Sequence, residues 1–204
     1  LEMQSPALKH RPNHNGHPSA KELAIAPEAE DGGRNNLFES SEIINGQYYS
    51  TVRVAHAPKN MRGQWEVGET VFHPKDTEIK WAAEHASPGP FMPRSFVDAG
   101  EGKVVGFLNG RGQSKVVAGK QEYGPFVIGL MLYDYEKGEV ISVTSEAIIQ
   151  DPGAETITFA SDFVDHGKGK GTLYAHVDDS FVRAYEVDAQ KLQEYVSRYL
   201  IGNG

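Results

Sequence analysis

Two carboxylates three residues apart, Glu39 and Glu42, lie in the run Leu37-Phe38-Glu39-Ser40-Ser41-Glu42-Ile43-Ile44. Carboxyl groups do acid–base chemistry when burial or a neighbouring carboxylate raises the pKa of one of them. Glu39 is the stronger candidate for such an acid, with Glu42 nearby. A regular strand sends residues three apart to opposite faces, so strand geometry alone does not pair them. The competing reading makes both solvent-facing strand residues. A second group, Trp81, His85, Arg94, Asn109 and Arg111, surrounds the stretch from His85 to Gly112. It offers an aromatic face, an imidazole, an amide and two guanidinium groups, the kinds of side chain that grip a polar ligand. Each of them, taken alone, also fits a surface or structural role.

The elements that must carry these groups read as β structure. Pro88-Gly89-Pro90 is a turn signal, Arg94 to Val97 a short strand, Asp98 to Gly102 a polar turn, and Lys103 to Leu108 a second strand. This is a hairpin by its turn chemistry and β-branched content, with polar groups at one end. Asp98 is simply a turn residue. Upstream, Asn45-Gly46 is a strong hairpin signal between Leu37–Ile44 and a return strand, Gln47 to Ala55. Met61 to Phe72 holds another strand, with Trp65 and Val67 alternating with Glu66. Phe126 to Leu132 is the most apolar run, short and β-branched, which predicts a buried central strand.

Further strands are expected at Glu139 to Ile149, Thr156 to Val164, Thr172 to Val177 and Phe181 to Val187. The stretch His166-Gly167-Lys168-Gly169-Lys170-Gly171 lacks the spacing of a phosphate loop and reads as a hairpin turn. Asp188 is placed to cap a helix. Leu192, Tyr195, Val196, Tyr199 and Leu200 form one apolar stripe on it, and Gly202 closes it.

The expected fold is therefore all-β, made of consecutive antiparallel sheets. It is most like a partial β-propeller with one C-terminal helix. No internal repeat is clean at the residue level. The expected organisation is an irregular arm over 1–36, a propeller-like domain over 37–188 and the helix over 189–204. The arm carries His10, His14 and His17, which could face one metal ion, but no carboxylate or strand fixes their geometry. The expectation is no metal and no cofactor.

Composition narrows the partners. The chain has 204 residues, with 28 acidic against 20 basic side chains and a net charge of -8. That balance argues against nucleic acid, whose phosphates need a basic face. No cysteine is present, which excludes disulfides and thiol catalysis. No apolar run approaches the roughly 20 residues of a membrane span, so no membrane partner is expected. The opening Leu1-Glu2-Met3 reads as extra residues ahead of Met3, or as a processed or partial product.

Several segments resemble a known family. SPGPFMPRSFVDAGEGKVVGFLNGRG is similar to a segment of the β-fructosidase family of glycoside hydrolases, family 32. FESSEIINGQYYSTVRV resembles the blade of that family, and of the arabinanase and xylosidase family 43, that carries the acid glutamate. GQWEVGETVF is similar to one of their strands. TLYAHVDDSFVRAYEVD resembles closing strands of several such families, the phosphorylase-like family 130 among them.

The resemblance implies a five-bladed propeller, a saccharide partner and Glu39 as general acid on a furanoside or related oligosaccharide. Trp81, His85, Arg94, Asn109 and Arg111 would hold sugar rings, and Asp162 and Asp178 are spare carboxylates for the missing partner. The departures are specific. Ser41 stands where the family has Pro, and Arg11-Pro12-Asn13-His14-Asn15-Gly16 echoes the nucleophile segment without its aspartate. The Arg-Asp-Pro motif is missing, and such a propeller needs about 300 residues. A second chain completing the fold is one expectation. Two other functions stay open: a non-catalytic carbohydrate-binding or subunit-interaction domain, and an all-β enzyme of another class such as a lyase.

Overall fold

The structure, a computed structural model, describes residues 22–201. Thirteen strands and one α-helix follow in order among them. A first antiparallel meander contains β1 (Leu23–Ala24), β2 (Arg34–Ile44), β3 (Gln47–Ala57) and β4 (Glu66–Phe72). A second contains β5 (His85–Phe91), β6 (Lys103–Arg111), β9 (Phe126–Asp134) and β10 (Glu139–Val143). A third contains β11 (Thr158–Gly167), β12 (Lys170–Val177) and β13 (Phe181–Asp188). A small hairpin, β7 (Lys115–Val117) and β8 (Lys120–Glu122), stands apart. The first two meanders join through a single parallel bridge, Ser50 to His85. The protein is mostly β, as expected, and no sheet among the described residues closes into a barrel.

The β6–β9 pair is the middle layer. Val105 and Phe107 with Ile128, Leu130 and Leu132 face a core shared with Phe163, Leu173 and Ala175 of the third meander. The alternate residues Val104, Leu108, Met131 and Tyr133 face a second core with Leu37, Val52 and Phe72 of the first meander. A strand covered on both faces needs a continuous apolar run rather than alternation, and Phe126 to Leu132 supplies one. The Tyr133 hydroxyl crosses between layers and donates to the Asn35 carbonyl at 2.7 Å.

Local chemistry explains most boundaries. Asn45 (φ 52°) and Gly46 (φ 82°) make the tight turn that fixes the full β2–β3 register. The Asp188 carboxylate caps α1 (Ala189–Val196) by accepting the Lys191 N–H at 3.1 Å. Val196 and Leu200 of the stripe are buried in the first core, whereas Tyr199 stays largely exposed. Gly202 and the histidines of the arm lie outside the described residues.

The organising hairpin differs from expectation. Its first strand is His85–Phe91, and 94–97 is a turn in which Phe96 donates to the Pro93 carbonyl at 2.8 Å. Pro88-Gly89-Pro90 runs extended instead of turning. Both prolines lack an N–H, and the register with β6 slips between Pro88 and Phe91. β5 tolerates this because it pairs fully on one side only and meets β3 through one bridge. Gly89 fits closely there: a Cβ would sit 3.0 Å from Phe107 and 3.3 Å from Ala160, tighter than ordinary contact. Strand structure also starts earlier than Leu37, at β1 and at Arg34.

Candidate functional site

β5 lies where the three meanders meet, and a groove of about 330 Å³ opens there. Its walls are β1 with the flanking Glu22, the Pro88–Phe91 end of β5, and Phe159–Asp162 of β11 with His176 of β12 behind them. Two carboxylates, Glu22 and Asp162, stand on different walls. A β-bulge shapes the β11 wall. Ala160 pairs with Ala175 and Asp162 with Tyr174, so Ser161 is the extra residue. Bulges re-aim side chains and are frequent beside binding sites. The Ser161 hydroxyl lies 3.2 Å from His176 Nδ1, the His176 ring stacks on Phe159 at 5.0 Å, and His176 Nε2 is 3.4 Å from Asp179.

Buried polar groups pin the walls together from behind. The Glu39 side chain is 2% exposed, and its carboxylate accepts the hydroxyls of Ser50 at 3.1 Å and Ser87 at 2.9 Å. His85 Nε2 lies 3.6 Å away. The Glu39 N–H donates to the Glu22 carbonyl at 3.0 Å, which ties β2 to the groove wall. Asn109 clamps the opposite wall: its Oδ1 accepts the Ala160 N–H at 2.7 Å, and its Nδ2 donates to the Ala160 carbonyl at 3.2 Å. Ser87 and Asn109 are register partners, so one rung of β5–β6 fastens both neighbours.

The other sequence candidates lie elsewhere. Glu42 is half exposed and accepts the Thr70 hydroxyl at 3.0 Å, whereas Glu39 is buried, in keeping with strand alternation. The Trp81 indole donates to the Thr144 carbonyl at 3.0 Å, and its ring fills space that Gly110 and Gly129 leave open. Arg111 pairs with buried Glu84 at 3.0 Å, and its guanidinium lies 4.4 Å from the Tyr123 ring centre and 5.1 Å from that of Phe126. His85 meets Phe126 edge-on at 4.7 Å. Arg94 sits away from this group, exposed, donating to the Tyr135 hydroxyl at 2.9 Å. The structure thus gathers His85, Asn109, Arg111 and Trp81 along one end of β5–β6 and leaves Arg94 at the other.

Of the two spare carboxylates, only Asp162 reaches the groove. Asp178 accepts backbone N–H groups of Glu155, Thr156 and Ile157, which hold its pKa well below the usual carboxylate range. Asp151 was not singled out by the sequence, yet it is buried and accepts from Arg183 at 2.8 Å and Tyr185 at 2.6 Å. Those bonds hold its carboxyl down at about 2. Glu22 and His176 were missed as well. Glu22 falls within the stretch read as an irregular arm, and His176 reads as an ordinary alternating strand residue.

No protein-family model matches the chain, and no curated protein matches it. Among solved structures it is similar to a glycosyl hydrolase from Bacteroides ovatus. That match has a TM-score of 0.57 and 19% identity, covering 84% of this chain and 49% of the other. A family 117 glycoside hydrolase from the marine bacterium Zobellia galactanivorans matches at a TM-score of 0.39 and 10% identity, over 81% of this chain and 57% of that one. The second likeness is too loose to carry an argument. The first places the chain in a fold that a glycosyl hydrolase also uses, and the chain spans about half the length of either neighbour. Among the described residues no helix is long and apolar enough to cross a membrane.

Proposed function

We propose that this chain is a glycoside-hydrolase-like module acting on a furanoside or related oligosaccharide in the groove between β1, β5 and β11. In this reading the three meanders are blades of a β-propeller and the groove lies toward its axis. The observation that carries the proposal is the placement of Glu22 and Asp162 on different walls of that groove. Cleaving a glycosidic bond needs a carboxylic acid to protonate the leaving oxygen. It also needs a second carboxylate that attacks the anomeric carbon or activates water. Phe91 and Phe159 add apolar surface to the same walls.

Glu39, the acid candidate of the sequence, takes a positioning role, because it is buried and engaged by two serines. Asn109 and His85 act in the same layer. Glu42, Trp81, Arg94 and Arg111 lie outside the groove.

Chromogenic furanosides and fructofuranosyl oligosaccharides test the assignment. Asp162→Asn and Glu22→Gln should each lower kcat by about a hundredfold or more. Full activity of either variant would overturn the pairing. A second reading, carbohydrate binding without hydrolysis, is favoured by the solvent exposure of both Glu22 and Asp162. Saturable sugar binding with no turnover by the unmodified chain would select it.

A further inference from the structure

A separate cleft of about 600 Å³ runs between β4, the turn after it and β10. Its charged lining groups are Glu42, Glu69 and Asp76, with no Lys or Arg among them. The lining hydroxyls are engaged already. Thr70 donates to Glu42, Thr77 to the Pro74 carbonyl and Ser142 to the Leu200 carbonyl. An occupant must therefore bring its own donors and positive charge. The three carboxylates do not converge as a metal-ligand set, since no such group occurs among the described residues.

His73 makes the demand more specific. Its side chain is only 8% exposed, and its Nδ1 accepts the Lys75 N–H at 3.0 Å. With Nδ1 accepting, the neutral ring carries its proton on Nε2. That nitrogen is closed to solvent, has no hydrogen-bond partner and lies 3.7 Å from Glu42 Oε2, so an oxygen reaches it only when the Glu42 side chain moves aside. An oxygen about 2.9 Å from both atoms would accept from Nε2–H and donate to the Glu42 carboxylate. Glu42 is half exposed, so its carboxylate can turn to admit that oxygen.

We infer that this cleft is a second binding site, for an amino sugar. A ring hydroxyl bridges His73 and Glu42, and the neighbouring ammonium sits among Glu69 and Asp76. Val71, Val140 and Val143 supply apolar surface for the ring's carbon face. The choice of a sugar to carry this amino alcohol rests on the saccharide reading above. The demand for a cation with a hydroxyl beside it does not.

Calorimetric titration of the full chain with glucosamine, N-acetylglucosamine and ethanolamine tests the site. Glucosamine should bind at least about tenfold tighter than its N-acetyl form, which loses the ammonium's charge-assisted hydrogen bonds, and tighter than ethanolamine, which keeps the amino alcohol but lacks the ring's apolar face. Glu42→Gln and Glu69→Gln should each weaken glucosamine binding by a similar factor and leave furanoside turnover intact. Asp162→Asn should do the reverse, so the two sites fail independently. Equal affinity for glucosamine and its N-acetyl form, or unchanged binding by both Gln variants, would overturn the inference. Ethanolamine matching glucosamine would overturn the sugar assignment.

Discussion

Replacing Asn109 with Ala removes a clamp that reaches 51 residues along the chain to Ala160. Both amide atoms are engaged with one peptide unit in a buried place, so the truncation orphans an N–H and a C=O together. Each orphaned group costs about 1–3 kcal/mol. Partial relaxation of β11 reduces the sum, and a net loss of about 3 kcal/mol is expected. For a domain of this size that lowers Tm by roughly 6–12 °C. Urea unfolding with linear extrapolation should show a lower midpoint at an unchanged m-value. Asn109→Asp offers a control: it keeps an acceptor for the Ala160 N–H but sets a carboxylate against the Ala160 carbonyl, and should be at least as harmful. A stability for Asn109→Ala within about 1 kcal/mol of the parent would refute the clamp, because it would mean Ala160 finds other partners at little cost.

Gly129→Ala would place a Cβ 2.3 Å from the Trp81 ring and 2.9 Å from the Thr144 hydroxyl. Such overpacking should cost about 1–3 kcal/mol and alter the near-ultraviolet dichroism of Trp81; an unchanged spectrum and midpoint would count against the packing described. The Asp151 carboxyl is held at about 2 against an ordinary 3.8. A depressed folded-state pKa contributes stability that is present above 3.8 and lost as pH falls toward 2. Acid titration of unfolding should therefore be shallower for Asp151→Asn across that window, and an identical slope would contradict the assignment.

Much of the fold is legible because local and tertiary demands agree. Asn45-Gly46 turns where it must, Asp188 caps where it must, and Phe126–Leu132 is apolar throughout because cores lie on both sides of it. β5 is not legible, because Pro88-Gly89-Pro90 carries turn chemistry that a one-sided strand overrides. A short repeat is also masked by its surroundings. Phe96-Val97-Asp98-Ala99-Gly100-Glu101-Gly102-Lys103 parallels Phe163-Val164-Asp165-His166-Gly167-Lys168-Gly169-Lys170. In both, the Asp accepts the N–H two residues on, from Gly100 at 2.9 Å and Gly167 at 2.7 Å. The two phenylalanines meet edge-on at 4.9 Å in the core. The first copy lies in a turn after Pro93 and the second in β11, which hides the likeness from strand patterning.

The groove was harder to foresee. Its carboxylates are 140 positions apart by number, on the flank of a two-residue strand and beside a bulge, and neither feature has a sequence signature. Glu39 stood out by likeness to an acid motif, but its neighbours Ser50 and Ser87 converge only through tertiary pairing.

The two prolines of β5 have one more effect. A ribbon that cannot offer amide hydrogens at Pro88 and Pro90 makes a poor template for a stray strand, whether from a partly folded copy or from a growing fibril. The spot where the three meanders come together is thereby kept from seeding misassembly.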